Sequence, residues 1–205
     1  MILETLCVGP MQVNCYIIAS ESSGAIIIDP GGDEHKIKRL LDKHKLKPCF
    51  IVNTHGHFDH IGSDNSFDAP VYIHEKDFIF LKDPQLNLSS VFALDYKVKS
   101  PIKCLNDGEV IELDDLVLKV IHMPGHTPGG IALLMLKPND KILFTGDSLF
   151  CSGIGRSDLF GGDEKLLIKS IKEKILVLPD DTVIYPGHGS SSTIGDEKRN
   201  NPFLI

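Results

Sequence analysis

Apolar positions in this 205-residue chain fall into short, β-branched runs separated by glycine, proline and polar turns. Val13 to Ala19 and Ala25 to Ile28 predict two strands, joined by a polar turn over Ser20-Glu21-Ser22-Ser23-Gly24. Asp29-Pro30-Gly31-Gly32 then breaks the chain. Asp33 is placed to cap a helix over Glu34 to Lys45, with Ile37, Leu40 and Leu41 on one face, and Pro48 closes it off. Cys49-Phe50-Ile51-Val52 is apolar throughout, as in a strand buried on both faces. A second helix is expected after His60, and a strand at Val71-Tyr72-Ile73.

Residues 82–101 carry no regular pattern. Strands are predicted again over Val110 to Leu113, Leu116 to Ile121, Ile131 to Leu136 and Ile142 to Phe144. Asp163 to Leu176 reads as an amphipathic helix, with Leu166, Leu167, Ser170, Ile171 and Lys174 at helical spacing, and Thr182-Val183-Ile184 as a last strand. Many strands, a few interspersed helices and no low-complexity linker predict one layered α/β domain with mixed sheets across residues 1–205.

Composition sharpens the class. With 42% hydrophobic and 24% charged residues the chain can build a sizeable core. Its 21 basic and 28 acidic residues give a net charge of −7, which argues against wrapping nucleic acid or coating an anionic membrane. No apolar run approaches the roughly 20 residues that cross a bilayer, and Met1-Ile2-Leu3-Glu4 opens no secretory signal. Of five cysteines without a C-x-x-C pair, most read as reduced, strand-buried thiols of a cytoplasmic protein, and Cys151, close to the candidate chemistry, reads as a packed thiol.

Nine histidines stand out, because three of them and an aspartate fill four of six positions in His55-Gly56-His57-Phe58-Asp59-His60, directly after an apolar strand. Neutral imidazole and carboxylate are ligands for zinc, iron and manganese. Three further segments repeat the design of a ligand type beside a glycine at a strand end. They are Pro124-Gly125-His126-Thr127-Pro128-Gly129, Thr145-Gly146-Asp147 and Pro186-Gly187-His188-Gly189. Taken together, the four segments point to a metal centre. His35 and His44 fall on the first helix and read as solvated, His122 as structural, and His74 is unassigned.

These motifs resemble the metallo-β-lactamase superfamily, and within it the glyoxalase II-like hydrolases, over nearly the whole chain. The resemblance implies an αββα sandwich, two mixed sheets flanked by helices with metals at one sheet edge. It implies that His55, His57 and His126 hold one metal, that Asp59, His60 and His188 hold a second, and that Asp147 bridges them. Asp29 resembles a residue that steadies a ligating histidine. The cofactor expected is a pair of divalent ions, zinc first, with iron or manganese as the other fits.

Two metals about 3.5–4 Å apart can share a water and lower its pKa, so the implied reaction is attack of that hydroxide on a thioester carbonyl. The resemblance implies that Asp147 and Asp59 are the catalytic carboxylates, with Asp59 also orienting the hydroxide. The reference substrate is S-lactoylglutathione, a small molecule cleaved to lactate and glutathione. Several departures widen the substrate range. Only 17 residues follow His188, so the family's C-terminal helical region is absent or much reduced. Arg156 stands in for a thiol-binding lysine, Asp158 occupies a tyrosine position, and Gly130 replaces a histidine common in relatives. The Gly153-Ile154-Gly155-Arg156-Ser157-Asp158 stretch also resembles the persulfide dioxygenases, which hold one iron with the equivalents of His55, His126 and Asp147. An Arg156–Asp158 ion pair that fixes the loop is the other reading of that stretch. A lactonase or β-lactamase, or a protein that binds metal without catalysis, completes the alternatives.

Overall fold

A computed structural model describes residues 1–20 and 23–205. Six strands run in sequence order across the first sheet: β1 (Ile2–Val8), β2 (Val13–Ala19), β3 (Gly24–Ile28), β4 (Lys47–Val52), β5 (Val71–His74) and β6 (Ile102–Leu105). The first two pairings are antiparallel, and β3 to β6 are parallel. The second sheet is built from β7 (Val110–Leu113), β8 (Leu116–His122), β9 (Ile131–Lys137), β10 (Ile142–Gly146), β13 (Val183–Pro186) and β14 (Ser192–Thr193). Its order is β14-β13-β10-β9-β8-β7, with only β10 and β13 parallel. A small hairpin, β11 (Leu149–Phe150) with β12 (Gly153–Ile154), sits after β10.

Side-chain alternation along β2 shows how the layers stack. Tyr16 and Ile18 point into the core between the sheets, beside Ile26, Ile28, Val52, Leu118, Leu133 and Phe144. Cys15, Ile17 and Ala19 point to the other face, where Ile37 and Leu41 of helix α1 (Glu34–His44) cover them. The outer face of the second sheet is closed by Leu167 of α3 (Glu164–Ser170), by Ile171 and Ile175 of the π-helical turn that follows, and by Ile194 of α4 (Ile194–Asn200). The result is the expected α-β-β-α stack with two mixed sheets. Among the described residues no helix is long and apolar enough to cross a membrane.

Several local expectations are corrected. Asp33 does not cap α1 with its side chain. Its backbone is left-handed (φ 52), whereas a capping side chain needs an extended one, and its carboxylate accepts instead from Gly9 N (3.0 Å) and Lys36 Nζ (2.8 Å). The helix expected after His60 is a single turn, α2 (Phe58–Ile61), and contains His60. The helix from Asp163 holds α-geometry only to Ser170. Asp163 caps it, accepting from Leu166 N at 3.0 Å. All five cysteines are free, but only Cys15 is buried. Cys7 and Cys104 lie on the edge strands β1 and β6, Cys49 on the outer half of β4, and Cys151 in the turn of the small hairpin, so all four are exposed. The turn predicted over Ser20 to Gly24 falls partly on residues 21–22, outside the described residues.

Candidate metal centre

Four chain segments leave strand ends at the same edge of the sandwich. The stretch after β4 delivers His55 and His57 and then winds into α2, which presents Asp59 and His60 from one turn. The loop after β8 delivers His126, the end of β10 delivers Asp147, and the end of β13 delivers His188. Parallel pairing of β10 with β13 brings the last two side by side. Close approach there requires glycine: a Cβ on Gly187 would lie 2.1 Å from Asp147 Oδ1, and one on Gly31 would lie 1.5 Å from the Asp59 carbonyl oxygen.

His126 Nε2 lies 3.0 Å from His57 Nδ1 and 3.2 Å from His55 Nε2. On the other side, Asp59 Oδ2 lies 3.3 Å from His188 Nε2 and 3.8 Å from His60 Nε2. Asp147 stands between the two sets, with Oδ1 at 3.3 Å from His60 Nε2, and Oδ2 at 3.7 Å from His126 Nε2 and 3.6 Å from His188 Nε2. The donor atoms of His55, His57 and His126 all lie within 4.8 Å of one another, as do those of Asp59, His60 and His188. Those of His55, His60 and Asp147 form a third such group. All seven residues singled out in the sequence thus converge on one place.

The arrangement fits cations. One proton can bridge two of the three imidazole nitrogens around His126, but the third nitrogen then faces a lone pair. Ligands at 2.0–2.1 Å in tetrahedral geometry stand about 3.3 Å apart, close to the spacing seen. His60 Nε2 and Asp147 Oδ1 are buried and have no hydrogen-bond partner. Unsatisfied buried groups of this kind cost about 1–3 kcal/mol each, and a shared cation would satisfy both.

Electrostatics divide the centre. Burial, reinforced by neighbouring imidazoles, holds His55 well below the usual histidine range and brings His57 down to about 3. Burial also opposes protonation of His60, but the carboxylates of Asp147, Asp29 and Asp59 outweigh it and raise its pKa. For Asp147 burial works upward, and His60, His126 and His188 overcome it and hold the carboxyl well below its ordinary range. Asp59 is lowered in the same way, against its burial, chiefly by His60 and His188. Two imidazoles that resist protonation and two ionised carboxylates are the states in which these side chains ligate metal.

A surrounding layer orients the rings. Asp29 Oδ2 accepts from His60 Nδ1 at 2.9 Å and from Thr54 Oγ1 at 2.7 Å, while Oδ1 accepts from Thr54 N at 2.7 Å. His126 Nδ1 donates to the Arg156 carbonyl oxygen at 2.6 Å, leaving Nε2 to face the centre. The Arg156 side chain itself is exposed and forms a two-pronged ion pair with Asp158, both contacts at 2.8 Å.

Asp77 was not signalled by the sequence. It is fully buried, and it accepts from Gly56 N (3.1 Å), Thr127 Oγ1 (2.7 Å) and Gly129 N (2.6 Å). It therefore ties the His55–His57 segment to the His126 loop. Its only trace in the sequence is a carboxylate at the head of the apolar stretch Phe78-Ile79-Phe80-Leu81. Of the other histidines, His35 is exposed, while His44 is half-buried against Glu4 (2.7 Å) and not freely solvated. His74 is buried and stacks on His122, whose Nε2 lies 2.8 Å from the Pro128 carbonyl oxygen.

The sequence profile of the metallo-beta-lactamase superfamily matches residues 8–188, the span that carries all seven convergent side chains. The chain belongs to the metallo-beta-lactamase superfamily. A superfamily relative is the hydroxyacylglutathione hydrolase GloC of Haemophilus influenzae, 39% identical over all of this chain and 98% of its own length. The probable metallo-hydrolase YqgX of Bacillus subtilis is 38% identical over 96% of this chain and 94% of its length. Among solved structures, the BLEG-1 B3 metallo-beta-lactamase superposes with a TM-score of 0.92 at 40% identity, covering 99% of each chain. TTHA1623 in a di-iron-bound form follows at 0.84 and 36% identity, covering 98% of this chain and all of that one. ETHE1 from Myxococcus xanthus superposes at 0.80 with 26% identity, covering 98% and 84%. Superfamily membership supports a metal-dependent hydrolase, and the convergent histidines and aspartates form groups that could hold metal.

Proposed function

We propose that the chain hydrolyses thioesters at a two-metal centre. The observation that carries this reading is the position of Asp147 between two separate ligand sets, His55, His57 and His126 on one side and Asp59, His60 and His188 on the other. The similarity to GloC, named a hydroxyacylglutathione hydrolase, supports the thioester class. Zinc, iron or manganese bound by these residues would supply a water of lowered pKa and a Lewis acid for the carbonyl oxygen.

The chain's own groups do the rest. Asp29 accepts from His60 Nδ1, so that with a metal bound the His60 Nε2 would be the nitrogen that offers its lone pair to the centre. The Arg156 carbonyl does the same for His126. Asp59, partly exposed at the rim, orients the attacking water by accepting one of its protons in a hydrogen bond. The water oxygen bonds to the acyl carbon, the carbon–sulfur bond breaks, and the water's proton leaves with the thiol. The products are a carboxylic acid and a free thiol.

Two other readings are separable by experiment. BLEG-1, named a B3 metallo-beta-lactamase, favours β-lactam amide cleavage. The Gly153–Asp158 stretch and a centre of only His55, His126 and Asp147 fit a one-iron persulfide dioxygenase. Metal analysis of purified protein is paired with three assays: a thioester panel including S-lactoylglutathione, a chromogenic cephalosporin, and oxygen uptake with glutathione persulfide. About two metals per chain with thioester cleavage is the expected result. Oxygen uptake, or cephalosporin cleavage, without hydrolysis of any thioester would overturn it.

A further inference from the structure

Two apolar cavities, each of about 220 Å³, open on either side of Asp59 and share Met11, Phe58 and Phe92 as walls. Val8 and Leu94 complete the first, and Val91 and Leu159 line the second. An apolar cavity of roughly 150 Å³ is enough to hold a benzene ring. Met11, Val91, Phe92 and Leu94 are among the most exposed large apolar side chains in the molecule, at 50%, 74%, 51% and 47%. Four such residues around one carboxylate of a metal centre form a patch of the kind that marks a ligand site.

The backbone holds this wall in place at a cost. Leu88 (φ 69) and Ala93 (φ 57) are both left-handed and bracket the short 3₁₀ turn Ser89–Phe92 that carries Val91 and Phe92. Non-glycine residues in that region are strained, and such strain persists where surrounding bonds over-determine it. Here Asn87 does so. Its side-chain amide nitrogen donates to the carbonyls of Phe80 and Tyr96, both at 3.0 Å, and its backbone carbonyl accepts from Phe58 N at 2.7 Å. The turn is thereby tied to the segment that bears Asp59. Phe92 and Phe58 face each other with ring centroids 6.2 Å apart.

Charge points the same way. Among the described residues the only cationic side chain lining either cavity is Arg156, and Asp158 occupies its guanidinium through both prongs. The other charged lining group is Asp59, itself an anion. A carrier thiol bearing free carboxylates finds no unengaged cation on these walls. We infer that the substrates of this centre are thioesters carrying an uncharged apolar acyl group, of aromatic or short branched size, on an uncharged thiol, selected by the Met11–Phe58–Phe92 wall. The inference rests on the thioester reading above and narrows it.

The test uses the metal-loaded protein and thioesters of N-acetylcysteamine with acetyl, isovaleryl and phenylacetyl groups, beside S-lactoylglutathione. One added methylene in a hydrophobic pocket is worth roughly 10-fold or more. The kcat/KM for phenylacetyl is therefore expected to exceed that for acetyl by at least tenfold, and to exceed that for S-lactoylglutathione. Phe92→Ala is expected to cut the phenylacetyl-to-acetyl ratio by tenfold or more, and Met11→Ala to cut it severalfold. Val177→Ala, an exposed apolar residue outside these cavities, should leave the ratio alone. A second readout needs no turnover: calorimetric binding of the thioether S-(2-phenylethyl)-N-acetylcysteamine, weakened at least fivefold by Phe92→Ala. A flat acyl series, a preference for S-lactoylglutathione, or ratio and binding unmoved by Phe92→Ala would overturn the inference. No hydrolysis of any thioester, with thioether binding that depends on Phe92, would instead overturn the thioester reading and leave the apolar site standing.

Discussion

Asp29 and His60 lie 31 residues apart and meet at 2.9 Å, carboxylate oxygen to ring Nδ1, with both side chains almost wholly buried. The contact fixes which nitrogen of His60 carries the proton. It also explains how an aspartate at the end of β3, with a left-handed backbone (φ 51), belongs to the centre although it is not one of the seven convergent side chains. Removing a residue that orients a metal-ligating histidine typically costs 10–100-fold in metal affinity. On the two-metal reading proposed above, Asp29→Ala should therefore weaken binding of one metal by about that factor. Equilibrium titration with a competing chelator checks this, and two unchanged affinities would contradict it.

Asp77 predicts a structural effect from outside the seven convergent side chains. Its carboxylate accepts three hydrogen bonds from two loops that carry ligands. Asp77→Ala strands three buried donors, each costing about 1–3 kcal/mol. The variant should lose stability on the order of several kcal/mol and release metal more readily. Chemical denaturation and metal content measured on the same sample provide the check.

The same residue gives a pH signature. Burial pushes Asp77 up to about 6, against the three donors that pull it down. Because its folded pKa lies above its unfolded value near 3.8, its contribution to stability is full below about pH 4 and declines as the pH rises to 6. Asp77→Asn cannot titrate. The stability difference between wild type and Asp77→Asn should therefore shift in favour of the variant from pH 4 to 6 and stay level above. Thermal denaturation in excess chelator measures it, and a difference independent of pH would refute the assignment.

Gly187 tests the packing of the centre. A methyl group there meets Asp147 Oδ1 at 2.1 Å and His60 Cε1 at 2.7 Å. On the two-metal reading, Gly187→Ala should displace the carboxylate between the two candidate ligand sets and reduce bound metal below two per chain, with activity down at least tenfold. Asp147→Ala should do the same without crowding. Circular dichroism separates loss of the site from loss of the fold.

Arg156 separates two readings of one residue. Its guanidinium is exposed and engaged by Asp158, and exposed ion pairs contribute little. Arg156→Ala should leave the melting temperature within about 2 °C and change KM for S-lactoylglutathione less than about threefold. A large rise in KM would restore Arg156 as a cation that binds an anionic carrier.

Much of the centre was legible along the chain because its ligands come in tight clusters beside strands. His55, His57, Asp59 and His60 announce themselves within six residues, and the glycines next to His126, Asp147 and His188 mark strand ends where the backbone must come close. The strands themselves were readable where both faces are buried, as in β2 and β10. Edge strands β1 and β6 were not, because partial exposure dilutes their apolar pattern. Helix α4 escaped for the same reason: only three of its seven residues are buried, one of them Glu197.

The sequence by itself determined the residue types that can hold metal, their attachment to strand ends, and the layered α/β class, because each of these is written in local spacing and period. Tertiary structure alone decided which donors face one another. Parallel pairing of β10 with β13 sets Asp147 beside His188, and a chain reversal of 69 residues brings His57 to His126 at 3.0 Å. It also decided that Asp77 serves two loops, that Arg156 is occupied by Asp158, and that Phe58 and Phe92 wall a cavity beside Asp59. Those relationships depend on long-range packing, in which residues far apart in the chain are forced together by burial, and no local pattern encodes them.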